Sequence, residues 1–148
     1  MKILLTGSTG LLGQALAERL PAAGEVVGLS RHPAPSSRLP HRVGDLTAAA
    51  WVTRVLRELR PDVVIHAQAQ SDVDRCEQDP DWAYGTNAMG TQNLALACLE
   101  YGTPLVYVST GAVFWGEKPE PYIEFDDTRP ANLYGQSKLA GEQIARGL

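Results

Sequence analysis

Tyr134 and Lys138 stand four residues apart in Tyr134-Gly135-Gln136-Ser137-Lys138, so a helix would carry a phenol and an ammonium on one face. A free tyrosine, with a pKa of about 10, is a poor acid–base group at neutral pH. A cation one turn away stabilises its phenolate, and a helix N-terminus acts in the same direction. Such a pair suits proton donation to a carbonyl oxygen, with the spare N–H groups of Lys138 left for a ribose. Thr110, in Ser109-Thr110, could place a second hydroxyl on that oxygen. Two polar residues at this spacing occur on any solvated helix face. Their position, after five strands and a Ser-Thr strand end, is what makes them a candidate catalytic set.

The opposite end of the chain carries Gly7-Ser8-Thr9-Gly10-Leu11-Leu12-Gly13 between an apolar strand and a helical pattern. That context suits a pyrophosphate seat, because the helix N-terminus offers free N–H groups and partial positive charge. Gly7 permits the tight turn, Gly10 the approach of the pyrophosphate, and Gly13 close helix–sheet packing, with Thr9, Leu11 and Leu12 completing the candidate dinucleotide site. The spacing is GxxGxxG rather than GxGxxG. About 20 residues on, where a carboxylate would favour NAD, the chain offers Ser30-Arg31-His32. Arg31 either pairs with a 2′-phosphate or is a solvated loop cation; the first reading predicts NADP(H) in preference to NAD(H). Asp45-Leu46 is a candidate adenine edge, with Asp45 accepting from the amino group or simply leading into the next helix.

These residues need a scaffold, and short apolar runs alternate with helical patterns along the chain. Strands are expected at 2–6, 25–30, 42–44, 62–66 and 104–109. A first helix with a Leu12, Ala15, Leu16, Arg19 and Leu20 stripe should stop near Gly24. Thr47 should cap a second, with Ala48, Trp51, Val52, Val55, Leu56 and Leu59 inward. Asp79-Pro80 should open a long helix to about Tyr101, stopped by Gly102, and Asn132 or a neighbour the last. Residues 32–40 read as a proline-rich surface loop, and 117–127 as an acidic loop over the cleft or a solvated connection. The alternation predicts one α/β domain over 1–148: a doubly wound, Rossmann-type parallel sheet with strand order 3-2-1-4-5.

A net charge of -4 gives no basic footprint for nucleic acid. Cys76 and Cys98 have neither metal nor redox spacing and read as free thiols, and no apolar run reaches the roughly 18–20 residues of a membrane span. A soluble cytoplasmic protein is expected. His66 reads as a hydrogen-bonded structural histidine, His32 and His41 as solvated, Trp51 as core, and Trp115 as a residue of the substrate entrance.

Together the motifs resemble the extended short-chain dehydrogenase/reductases, and within them the dTDP-4-dehydrorhamnose reductase group. The likeness runs through Lys2-Ile3-Leu4-Leu5-Thr6-Gly7, Arg60-Pro61-Asp62-Val63-Val64-Ile65, Val73-Asp74-Arg75-Cys76-Glu77, Thr86-Asn87-Ala88, Val108-Ser109-Thr110 and Leu133-Tyr134-Gly135-Gln136-Ser137-Lys138. It implies an NADP(H)-dependent reductase of a keto-sugar nucleotide, with Thr110, Tyr134 and Lys138 catalytic. It also implies Asn87 as a supporting polar residue of the cofactor site, and Ala67, Gln68 and Ala69 along the ribose and nicotinamide. The departures fall at the substrate edge: Gly111, Ala112 and Trp115 replace the group's Asp, Tyr and Asp, and Gln68 and Gln70 stand where small and aromatic residues are usual. Members of the group are longer, so the chain is expected to lack their C-terminal substrate lobe, and the incomplete sheet makes a homo-oligomer an expectation. Two other functions remain open. One is a non-catalytic NADP-binding partner module, as in the regulatory subunit of methionine adenosyltransferase, which resembles the same group. The other is a sugar-nucleotide epimerase or dehydratase.

Overall fold

The computed structural model describes residues 1–33 and 39–147. Five parallel strands form one sheet in the order β3-β2-β1-β4-β5: β1 Lys2–Thr6, β2 Glu25–Ser30, β3 His41–Val43, β4 Val63–His66 and β5 Leu105–Tyr107. This is the predicted strand order, and β3, β4 and β5 each begin or end within two residues of the expected position.

Side-chain alternation gives the sheet two unequal faces. Leu4, Val27, Leu29 and Val64 point to a face covered by α2 (Ala49–Leu59) and α5 (Thr91–Tyr101), through Val52, Val55, Leu56, Leu94 and Cys98. Ile3, Leu5 and Val26 point the other way, toward Leu16, Ala17 and Leu20 of α1 (Leu11–Arg19) and the turn after it. That second face is thinly covered at β5, where Val106 is 50% exposed. The predicted stripe of α1 fails in its first turns: Leu12 is 46% exposed and Ala15 is exposed, with only Gly13 buried. Pro21 also ends α1 earlier than Gly24, turning residues 20–22 into a single tighter helical turn.

Thr47 does not cap α2. Its N–H and hydroxyl both donate to Asp45 Oδ1 at 2.9 Å, and Ala48 takes the cap position without a side-chain bond. The long helix expected from Asp79 is instead α4 (Pro80–Tyr84), a π-helical turn (Gly85–Gly90) and α5, preceded by an unpredicted α3 (Val73–Gln78). Gly102 closes α5 in the left-handed conformation, φ 64°. Asn132 caps α6 (Leu133–Arg146), its side chain accepting from Gly135 N–H at 2.7 Å. The expected proline-rich loop falls partly on 34–38, outside the described residues. Residues 117–127 are braced internally: Lys118 pairs with Asp126 at 2.6 Å, and Tyr122 stacks on Phe114. Among the described residues no helix is long and apolar enough to cross a membrane.

Candidate active site

The C-terminal ends of β1, β2 and β4 open into a cleft of about 430 Å³, in the size range of small-molecule sites. Its floor is the glycine turn. Leu29 carbonyl accepts from Gly7 and Ser8 N–H at 2.8 and 3.3 Å, which fastens the turn to the end of β2. Gly7 has φ +72°, and a Cβ there would sit 2.6 Å from Gln68 N. A Cβ on Gly13 would strike the Gly7 carbonyl. Gly10 begins α1 with no side-chain cap, so the N–H groups of the first turn, at Leu11 and Leu12, are left for a ligand or water. Leu11 itself is 95% exposed. A strand-end cradle whose close approaches admit only glycine, below an uncapped helix start, fits a dinucleotide pyrophosphate.

Thr9, Gly10, Ser30, Arg31 and His32 line the cleft's β2 side. Arg31 is held there, its Nε 3.2 Å from Asp45 Oδ2 and its Nη2 donating to Thr86 Oγ1 at 3.0 Å. Burial alone would raise the Asp45 carboxyl, but the Thr47 hydrogen bonds and the Arg31 charge hold it below the usual carboxylate range. The Ser30 hydroxyl is engaged, within 2.6 Å of the His32 carbonyl and 2.8 Å of His41 Nε2. His41 is therefore not the solvated side chain expected: it sits against Gly28 at the start of β3, and burial lowers its pKa. Leu46 is fully buried in the core, and its carbonyl accepts from Asn93.

Ala67, Gln68, Ala69 and Gln70 form the wall beyond β4. Gln68 Oε1 is buried with no hydrogen-bond partner among the described residues. Asn87 lies behind this wall, 1% exposed, and braces it rather than facing the cleft. Its Oδ1 accepts from Gln70 N–H at 2.7 Å; its Nδ2 lies 3.0 Å from the Gln70 carbonyl and 2.9 Å from Ser137 Oγ on α6. Ser137 hydroxyl in turn donates to the Tyr134 carbonyl at 2.8 Å. The π-helical turn presents Thr86 and Asn87 together, the first to Arg31 and the second to α6.

Lys138 is 2% exposed; its ammonium donates to the Val108 carbonyl at 2.7 Å and lies over the Tyr107 ring at 4.1 Å. Burial lowers its pKa to about 8 despite Glu142. Tyr134 is half-buried one turn earlier on α6. Thr110 begins the short helical turn after β5, its Oγ1 accepting from Ala112 N–H at 3.2 Å, which leaves the hydroxyl proton to donate elsewhere. Beside it, Ser109 Oγ is buried without a partner among the described residues. His66 is structural, as expected. Thr91 hydroxyl donates to the Asn87 carbonyl, so it accepts from His66 Nε2, and Nδ1 accepts from Thr6 at 2.6 Å. Burial and then the Lys138 charge lower its pKa to about 3. Cys76 and Cys98 are free and buried, and burial pushes Cys98 up to about 12.

Sequence reasoning missed two lining residues, Arg75 and Trp82, whose side chains meet at 3.9 Å across α3 and α4. Seven positions apart and on different helices, they give no local pattern. Trp115, expected at the substrate entrance, is 43% exposed beneath the Arg129 guanidinium.

Known proteins share this fold. The chain is 35% identical over 143 residues to dTDP-4-dehydrorhamnose reductase of Escherichia coli K12, covering 97% of this chain and 46% of that protein. It is 41% identical to the enzyme of the same name from Burkholderia thailandensis, covering 96% and 44%. The structure of dTDP-4-dehydrorhamnose reductase from Bacillus anthracis in complex with NADP superposes with a TM-score of 0.89 at 38% identity, covering 99% of this chain and 49% of that one. UDP-glucose 4-epimerase of Thermus thermophilus in complex with NAD gives a TM-score of 0.90 at 34% identity, covering 99% and 50%. The chain thus spans about half the length of these relatives. The model of the RmlD substrate binding domain matches residues 1–147, and the chain belongs to that family.

Proposed function

We propose that this protein is an NADP(H)-dependent reductase of a keto-sugar nucleotide, acting on a substrate of the dTDP-4-dehydrorhamnose type in the cytoplasm. The observation that carries the reading is the buried Lys138 ammonium, fixed on the Val108 carbonyl at 2.7 Å and one helical turn from Tyr134. A charged lysine held out of water is costly, and structural stability alone gives no reason to keep it.

Residues 7–13 would hold the pyrophosphate, Arg31 the 2′-phosphate, and Ala67, Gln68 and Ala69 the ribose and nicotinamide side. The reduced nicotinamide, when bound, supplies the hydride. Tyr134 donates the proton to the substrate oxygen, and its phenolate is stabilised by Lys138 as it forms. The Thr110 hydroxyl, whose oxygen accepts from Ala112 N–H, keeps its proton for a second hydrogen bond to the substrate oxygen. Asn87 acts through others, holding the Gln70 wall against α6.

NADPH titration followed by turnover with dTDP-4-keto-6-deoxy sugars tests the proposal. Tyr134→Phe should bind NADPH as wild type while kcat falls about 10²–10⁴-fold. NADPH binding with no turnover of any keto-sugar nucleotide would sink the enzyme reading in favour of a cofactor-binding partner module.

A further inference from the structure

We propose that Arg75 is a specificity-determining residue that reads the 2′-phosphate of NADP(H) from across the cleft, with Trp82 holding its guanidinium plane. The inference rests on the dinucleotide reading above and names a residue that reading does not use.

Arg31 and Arg75 both line the cleft, one from the end of β2 and one from α3. Their charges are not equivalent. Arg31 lies 3.2 Å from the Asp45 carboxylate, so that wall is close to neutral. Arg75 has no ion pair among the described residues, although acidic side chains surround it in sequence. Three of these are turned to backbone N–H groups instead. Asp72 accepts from Arg75 N–H at 3.0 Å, Asp79 from Trp82 N–H at 3.0 Å, and Glu77 from Leu133 N–H at 2.6 Å. Asp74 is the adjacent residue on α3, and neighbours at i, i+1 do not face each other.

The guanidinium instead lies 3.9 Å from the centre of the Trp82 ring. A ring face fixes the plane of an arginine without consuming its N–H donors or neutralising its charge. A planar, uncompensated fork at the rim of a nucleotide cleft matches a dianionic phosphate in charge and geometry. The pyrophosphate already has the N–H groups of the glycine turn and the start of α1. Among the described residues of the cleft the β2 side offers the 2′-phosphate Arg31, whose charge Asp45 offsets. Arg75 supplies the missing net charge.

The test is the binding of NADPH, NADH, 2′,5′-ADP and 5′-AMP to the purified protein and to Arg75→Gln, Arg75→Lys and Trp82→Leu, by calorimetry. Arg75→Gln should raise the Kd of NADPH and of 2′,5′-ADP at least tenfold and those of NADH and 5′-AMP less than twofold. Arg75→Lys should recover part of the loss, and Trp82→Leu should reproduce a several-fold part of it. Arg75 is exposed, so its two variants should melt like wild type. Equal losses for NADPH and NADH would overturn the assignment by placing the charge on the pyrophosphate. Unchanged affinities in Arg75→Gln would overturn it by reducing the contact to a tie between α3 and α4. A wild-type protein that binds neither dinucleotide would overturn the dinucleotide reading itself.

Discussion

The Lys138 ammonium donates to the Val108 carbonyl at 2.7 Å, joining α6 to the residue after β5 through a side chain that is 2% exposed. Burial lowers this lysine to about 8 in the folded chain, against about 10.4 in the unfolded one. Below pH 8 both states are protonated and folding bears the whole cost of burying the charge. Between pH 8 and 10.4 the unfolded state binds more protons, so stability rises with pH. Lys138→Met should therefore be at least as stable as wild type at pH 7. Wild type should gain about 3 kcal/mol on the variant between pH 8 and 10.4. Paired urea melts across that range measure the difference, and a flat difference would contradict a buried, charged Lys138.

Gly10 and Gly13 should separate binding from stability. A Cβ on Gly13 meets the Gly7 carbonyl, backbone against backbone, so Gly13→Ala should cost about 1–3 kcal/mol and weaken NADPH binding together. A Cβ on Gly10 has as its nearest neighbour the Gly7 carbonyl at 3.3 Å and otherwise occupies the mouth of the cradle. Gly10→Ala should keep stability within about 1 kcal/mol of wild type while the Kd for NADPH rises at least tenfold. Thermal melts and nucleotide titration on both variants read the contrast. Normal NADPH binding by Gly10→Ala would move the pyrophosphate off this turn.

On the proposed reading, Asp45 competes with the 2′-phosphate for the Arg31 guanidinium. Its Oδ2 lies 3.2 Å from Arg31 Nε, and both side chains are partly exposed, so the pair is worth at most about 1 kcal/mol. Asp45→Asn keeps an acceptor for Thr47 and removes the charge. NADPH should then bind up to about fivefold tighter, with NADH unchanged. A tenfold loss for NADPH would show instead that the carboxylate aims Arg31 at the phosphate.

The first two strands were legible because strands buried on both faces read as continuous apolar runs, and the turn was legible because Gly7 and Gly13 tolerate no Cβ. The failures have local physical causes. The α1 stripe misled because periodicity reports amphipathy and not whether a partner covers the face; Leu12 is apolar and 46% exposed. Thr47 looked like a cap because its hydroxyl suits one, yet Asp45, two residues earlier, takes that hydroxyl. That Asn87 spends its amide on Gln70 and Ser137 and that Leu46 joins the core are matters of packing, which no sequence pattern reports. Arg75 and Trp82 meet across two short helices and a break that no period spans.

His66 makes the final prediction, on the acid side. Its two ring nitrogens are held by Thr6 and Thr91 in the interior, and burial, then Lys138, keep its pKa at about 3. The unfolded histidine titrates at about 6.5. Above pH 6.5 both states are neutral and no stability is lost. As pH falls below 6.5 the unfolded chain takes a proton that the folded chain refuses, and the loss reaches about 2 kcal/mol by pH 5. His66→Gln carries no such proton and retains a donor and an acceptor for the two threonines. It should be less stable than wild type at pH 7.5 through imperfect fit, and its stability should fall less steeply on acidification. Denaturant melts at pH 7.5 and 5 give both slopes. Parallel slopes would mean that His66 does not stay neutral when the rest of the fold is intact.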